Sequence, residues 1–139
     1  MKKVLAVLAI FVFAVACGES YNTQEHIDKV FNVHDEVMPK MGEVMALKKQ
    51  ALAKAKEIEQ ANGDSTQVAS FRNLALRLDQ ANEGMMVWMR QWQANAQPHI
   101  NEETTVEERK AFLNSEMEKV EKVREDINSS IEAAKSALK

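Results

Sequence analysis

After its first twenty or so positions the chain divides into three stretches of helical period. From about residue 23 to 62, apolar residues recur three and four apart, the spacing of an amphipathic helix and not of a strand. One stripe runs Ile27, Phe31, His34, Met38, Met41 and Met45, then Lys48, Leu52 and Ala55. Val30, Val37, Val44, Ala51 and Ile58 widen it on one side. Lys48 interrupts the stripe, and its aliphatic stem can cover apolar surface while its ammonium reaches water. Pro39 lies mid-stretch. It has no N–H for the carbonyl of Asp35 and its ring crowds that carbonyl. Because the stripe continues on both sides, the pattern predicts a kink there and not a break.

Asn62-Gly63-Asp64-Ser65 is the first clear stop. Gly63 suits a left-handed residue after the helix end, and Asp64 or Ser65 can cap the next helix. The second stripe is Val68, Phe71, Ala75, Leu78, Asn82, Met85, Met89 and Trp92, flanked by Leu74, Ala81 and Trp88. It predicts a helix over about 66–96, with Asn82 as a polar residue that fixes register. Gln97 to Asn101, around Pro98, reads as a loop. Thr105-Val106-Glu107-Glu108 is a capping box that opens the last helix, about 105–138,. Its stripe is Val106, Leu113, Met117, Val120, Ile127, Ile131, Ala134 and Leu138, helped by Val123. Three long helices with short connections predict an all-α fold, an antiparallel three-helix bundle over 23–139 with its first helix kinked at Pro39,.

The first residues follow another pattern. Met1-Lys2-Lys3 is positive, Val4 to Val15 is a short apolar run, and Ala14-Val15-Ala16-Cys17 ends it. The run is too short to span a bilayer. The whole resembles a bacterial lipoprotein signal. That resemblance implies a signal peptide over 1–16 and a tether over 17–22, with Cys17 lipidated as the first mature residue. Two or more acyl chains anchor stably where one is marginal. The address expected is therefore the cell envelope, with the membrane as partner through Cys17. Cys17 is the only cysteine, so an intrachain disulfide is excluded and the fold must stand on its core. Without Lys2 and Lys3 the net side-chain charge falls from −3 to −5. Basic and acidic residues are interspersed, so nucleic acid is not an expected partner.

Candidate chemistry gathers around the methionines. A turn near residue 64 sets Met85 level with Glu43 and Met89 level with Pro39, given equal rise per residue,. A second turn near residue 100 sets Met117 level with Gly84,. Met38, Met41, Met45, Met85, Met86, Met89 and Met117 then share one slab, with His34 a turn outward and Trp88 and Trp92 at its border. Thioethers are soft ligands that suit Cu(I) or Ag(I), and a histidine nitrogen completes such a site. An indole face over Cu(I) adds a cation–π contact. The ligand set is similar in chemistry to that of periplasmic copper chaperones built on Met, His and Trp. The expected metal ligands are Met38, Met41, Met45, Met85, Met89 and His34, with Trp88 or Trp92 as cap. Packing alone is the simpler expectation, in which no cofactor is needed, since methionine is a flexible gap-filler and a kinked helix leaves an irregular gap.

Other chemistries are less supported. A hard-ligand set of His26, His34, His99 and Glu36 lacks a metal-binding spacing such as HExxH. Haem lacks a CxxCH motif. His34 is next to Asp35, which the helix turns toward another face, so Asp35 is not expected to orient it. Neither a GxSxG motif nor a Gly-rich phosphate loop is present, so no enzymatic activity is expected.

His34-Asp35-Glu36-Val37-Met38-Pro39-Lys40-Met41 and Met85-Met86-Val87-Trp88-Met89 together resemble a group of small bacterial lipoproteins labelled "viral A-type inclusion protein". The resemblance implies a helical fold and an envelope location, and it implies no activity and no site residues. The function expected is that of a lipid-anchored, non-enzymatic helical protein of the cell envelope, an interaction or structural module with an unidentified protein partner. The alternative is soft-metal binding in the periplasm through the Met/His cluster.

Overall fold

The computed structural model describes residues 21–139. The signal segment and Cys17 lie outside the described residues. Those residues form helix α1 (Thr23–Val37), a 3₁₀ turn (Met38–Lys40), α2 (Met41–Gln60), α3 (Ser65–Ile100) and α4 (Val106–Ala137). No strand occurs among the described residues, and none of their helices is long and apolar enough to cross a membrane. The fold is all-helical, with the α1–α2 segment, α3 and α4 packed on one another.

The ends are set by local chemistry. The Asn22 side chain accepts the N–H of Glu25 and starts α1. The last α-type bond of α1 runs from Met38 N–H to the carbonyl of His34. The next donor would be Pro39, which has none. The backbone tightens into a 3₁₀ turn, in which Met41 N–H reaches Met38, and α2 begins there. What the pattern suggested as one helix over 23–62 is thus two helices joined through Pro39.

At the next stop the left-handed residue is Asn62, at φ 50°, and not Gly63. Gly63 N–H reaches back to Ile58 and Asn62 N–H to Glu59, the paired bonds of a Schellman end. Glycine is needed at 63 for room: a Cβ there would sit 2.7 Å from Ile58 Cγ2 and 3.0 Å from its carbonyl oxygen. The Asp64 side chain then caps α3 through Thr66 N–H.

The second helix also runs past its expected end, to Ile100 with Pro98 inside it. The proline removes one donor near the terminus, where few bonds remain to lose. Its own carbonyl is satisfied by Thr104 Oγ1 at 3.0 Å, while Asn101 Oδ1 takes the N–H groups of Glu103 and Thr104. The capping box forms as expected, with Thr105 and Glu108 satisfying each other's backbone N–H.

Burial corrects the first stripe. Its centre is the valine row Val30, Val37 and Val44 with Ala51, all nearly inaccessible, together with Leu47. Met45 and Leu52 stay 43% and 45% exposed. A helix lodged between two neighbours buries a wide arc, and the centre of that arc falls on the valines that seemed to be a flank. The second and third stripes stand: Ala75, Leu78 and Met85 on α3, and Leu113, Val120 and Ile127 on α4, are buried. Lys48 does reach outward, to Asp79 of α3.

Candidate functional site

The site grows from one turn of α1. His34 projects toward α3, its side chain only 12% exposed. Its ring centroid lies 5.6 Å from that of Trp88, tilted by 35°, and 5.8 Å from that of Phe31. Contrary to expectation, Asp35 does orient it: His34 Nδ1 is 2.7 Å from Asp35 Oδ1. Adjacent helical residues diverge in direction, but a carboxylate on a short stem can curl back to the ring edge. The carboxylate can only accept, so Nδ1 carries a proton, and the tautomer that this contact selects has its lone pair on Nε2. That Nε2 is buried and has no hydrogen-bond partner among the described residues.

Trp88 faces it from α3, fully buried, with its indole Nε1–H also lacking a partner. A chain of rings continues from there. Trp88 lies 5.8 Å from Trp92, Trp92 lies 5.8 Å from Phe112 of α4, and Phe112 stacks on His99 at 4.8 Å. Phe31 meets Trp92 edge-on at 5.1 Å. Such edge and tilted contacts are the favoured aromatic geometries. Heptad reading missed this run because Phe112 and His99 lie off the main stripes.

The methionines divide. Met41 and Met85 are buried in the principal core cluster, and Met38, Met86, Met89 and Met117 pack against it from partly buried positions. Met45 is outside that cluster, which removes it from the expected ligand set. Met38 stands directly one turn beyond His34, as the Met38 N–H to His34 carbonyl bond fixes. On α3, Met85 precedes Trp88 by three residues and so shares its face.

The three histidines do not gather. His26 rests on Tyr21 with ring centroids 4.4 Å apart, and its Nδ1 meets the Asn22 carbonyl oxygen at 2.9 Å. His99 is stacked on Phe112 near the α3–α4 loop, and Glu36 is paired with Arg124 of α4. Among the described residues no three His, Cys, Asp or Glu side chains converge as metal ligands.

One charged group was not foreseen. Glu116 of α4 is only 3% exposed. Lys119 Nζ holds one of its oxygens at 2.7 Å, and Oε2 has no partner among the described residues. Its spacing, three residues after Leu113 and four before Val120, puts it on the buried face,, but a glutamate is read as helix surface by its type. On the outside, a cleft along α4 is lined by Glu121, Lys122, Arg124 and Glu125. Several of its charges are engaged in ion pairs, Lys122 with Asp126 and Arg124 with Glu36.

No protein-family model, no curated protein and no solved structure matches the chain. The chemistry of the site must therefore be read from its own residues.

Proposed function

We propose that the chain is a lipid-anchored, non-enzymatic module of the bacterial cell envelope that offers one helical face to a partner protein. Cys17 is the anchor in this reading, and the body is an antiparallel three-helix bundle whose first rod bends at Pro39. Cross-helix pairs support that arrangement. Lys48–Asp79 and Glu59–Arg72 climb α2 while descending α3, as antiparallel neighbours must. Glu36–Arg124 and Glu43–Lys135 climb together, so the first rod and α4 run the same way.

The observation that carries the interaction reading is the position of the exposed large apolar residues. Met45, Leu52 and Leu76 are 43%, 45% and 55% exposed. Met45 and Leu52 are seven residues apart, on the edge of α2 that also bears Lys48. Leu76 lies between Arg72 and Asp79 on α3, which pair with Glu59 and Lys48 across the same junction. The three apolar side chains thus border one α2–α3 seam, which the pairs Lys48–Asp79 and Glu59–Arg72 cross. Exposed large apolar side chains gathered along one seam are what a protein contact covers.

The test is photo-crosslinking in intact cells, with benzoylphenylalanine at Leu52 or Leu76 and, as control, at Glu118 on the exposed side of α4. A discrete adduct from both α2–α3 positions and none from Glu118 is expected. Indistinguishable adduct patterns at all three would refute the face. Cys17→Ser is expected to move the protein from the membrane to the soluble fraction, and retention on the membrane would refute the anchor.

A further inference from the structure

We propose that His34 Nε2, with the thioethers of Met38 and Met85, forms a binding site for a soft monovalent cation, Cu(I). This goes beyond the interaction reading and does not rest on it.

The first ground is the histidine. A ligating imidazole usually has its other nitrogen held by a carboxylate, which fixes the tautomer and raises the basicity of the ligating nitrogen. Asp35 does this at 2.7 Å from Nδ1. The opposite nitrogen is left bare, buried and without a donor. Buried polar atoms are nearly always satisfied, so such an atom asks for a reason.

The second ground is what lies level with it. Ring pairs fix the register between α1 and α3: Phe31 meets Trp92 and His34 meets Trp88. One turn further along, Met38 comes level with Gly84 and Met85. Met38 is bonded by its N–H to the His34 carbonyl, one turn away on the same face. Met85 is fully buried in the adjoining core. One imidazole and two thioethers are neutral, soft donors. That set selects Cu(I) over Zn(II), Mg(II) or Ca(II), which want more nitrogen, thiolate or oxygen. Trp88 closes the site from the α3 side, and its indole is the natural reporter.

The 3₁₀ turn serves this geometry. Pro39 ends the α-type bonding at Met38, so the backbone next to that thioether is free of the regular helical ladder. A side chain at such a position can shift toward a ligand without breaking a continuous helix.

The test is anaerobic Cu(I) titration of the full chain in detergent, with ascorbate present and a chromophoric Cu(I) chelator as competitor. The joint emission of Trp88 and its neighbour Trp92 is followed. The wild type is expected to take one equivalent with quenching of tryptophan emission. His34→Phe and Met38→Leu are expected to lose at least tenfold in affinity. Met45→Leu, outside the core cluster, is expected to bind as the wild type does. Circular dichroism on each variant separates loss of ligand from loss of fold, and if His34→Phe does not fold, Met38→Leu alone decides. No binding by the wild type against the chelator overturns the site. Equal binding in Met38→Leu and Met45→Leu overturns it as well.

Discussion

Glu116 offers the sharpest test of how the core is built. Its carboxylate is held on one side by Lys119, and Oε2 is buried without a partner. Replacing it by methionine keeps the length of the side chain and removes both oxygens. Leaving a buried polar atom unsatisfied costs about 1–3 kcal/mol, more when charged. The pair with Lys119 is lost, but Lys119 is half exposed, and such pairs contribute at most about 1 kcal/mol. Exchanging buried ionic groups for apolar ones of similar volume is often stabilising. Glu116→Met is therefore expected to stabilise the fold by about 1–2 kcal/mol. For a chain of this size that is a rise in melting temperature of roughly 3–8 °C. Urea unfolding followed by far-ultraviolet circular dichroism should show a higher midpoint at unchanged slope. A loss of more than about 1 kcal/mol would refute the reasoning, because it would mean that Oε2 is bound by something whose removal costs more than the burial.

Two further outcomes follow from helix ends. Asn62→Gly is expected to stabilise by about 0.5–1 kcal/mol, since glycine reaches the positive φ without steric cost, whereas Gly63→Ala destabilises because its Cβ would press on Ile58; thermal melts of both check the order. Glu108 is held below the usual carboxylate range by hydrogen bonds from Thr105, and Asp64 likewise by those from Thr66. A carboxyl depressed in the folded state adds stability that is complete above its unfolded pKa and is lost as pH falls through the lower folded value. Unfolding measured from neutral to strongly acid pH should show that loss, and Glu108→Gln should flatten it.

The helical class, the stop near 62–65 and the capping box of Thr105 were legible because each is a local pattern with a local cause, whereas the second loop, expected at Gln97 to Asn101, falls after Ile100. The centre of the first stripe was not. Two apolar rows adjoin there, one of valines and one of mixed residues and methionines, and periodicity alone gives them equal weight. Which is buried depends on where two other helices lie, and this left Met45 and Leu52 outside. The core location of Met41 survived that error because a residue between the two rows is buried under either choice, and Met85 belongs to the second stripe, which the structure keeps. The end of α3 beyond Pro98 depended on Asn101 and Thr104 satisfying the carbonyl of Pro98. Such side-chain-to-backbone bonds leave no trace in hydrophobic spacing. Asp35 curling to His34 is a rotamer choice that spacing does not carry, and the ring chain to His99 could not be read from one helix at a time.

A methionine core and a metal site are not rivals in energy, because an unliganded thioether is simply an apolar packing group. Among the ligands the cost of keeping such a site falls on His34, whose buried Nε2 is unsatisfied without metal. His34→Phe removes that cost and keeps an aromatic ring beside Trp88, so in the absence of metal it should unfold no more easily than the wild type, and by up to about 1–3 kcal/mol less easily. Adding Cu(I) should reverse the order. A ligand at a hundredfold excess over its Kd stabilises the native state by about 2.7 kcal/mol, and only the wild type can collect it. Melts of the two proteins with and without Cu(I), under ascorbate, give four numbers and one crossing. If His34→Phe is much less stable in both conditions, His34 is a packing residue whose Nε2 has a partner in the protein, and the cation site is wrong. If the curves cross, the bare nitrogen is a functional compromise, in which stability is given up at one atom so that a soft cation can be held there.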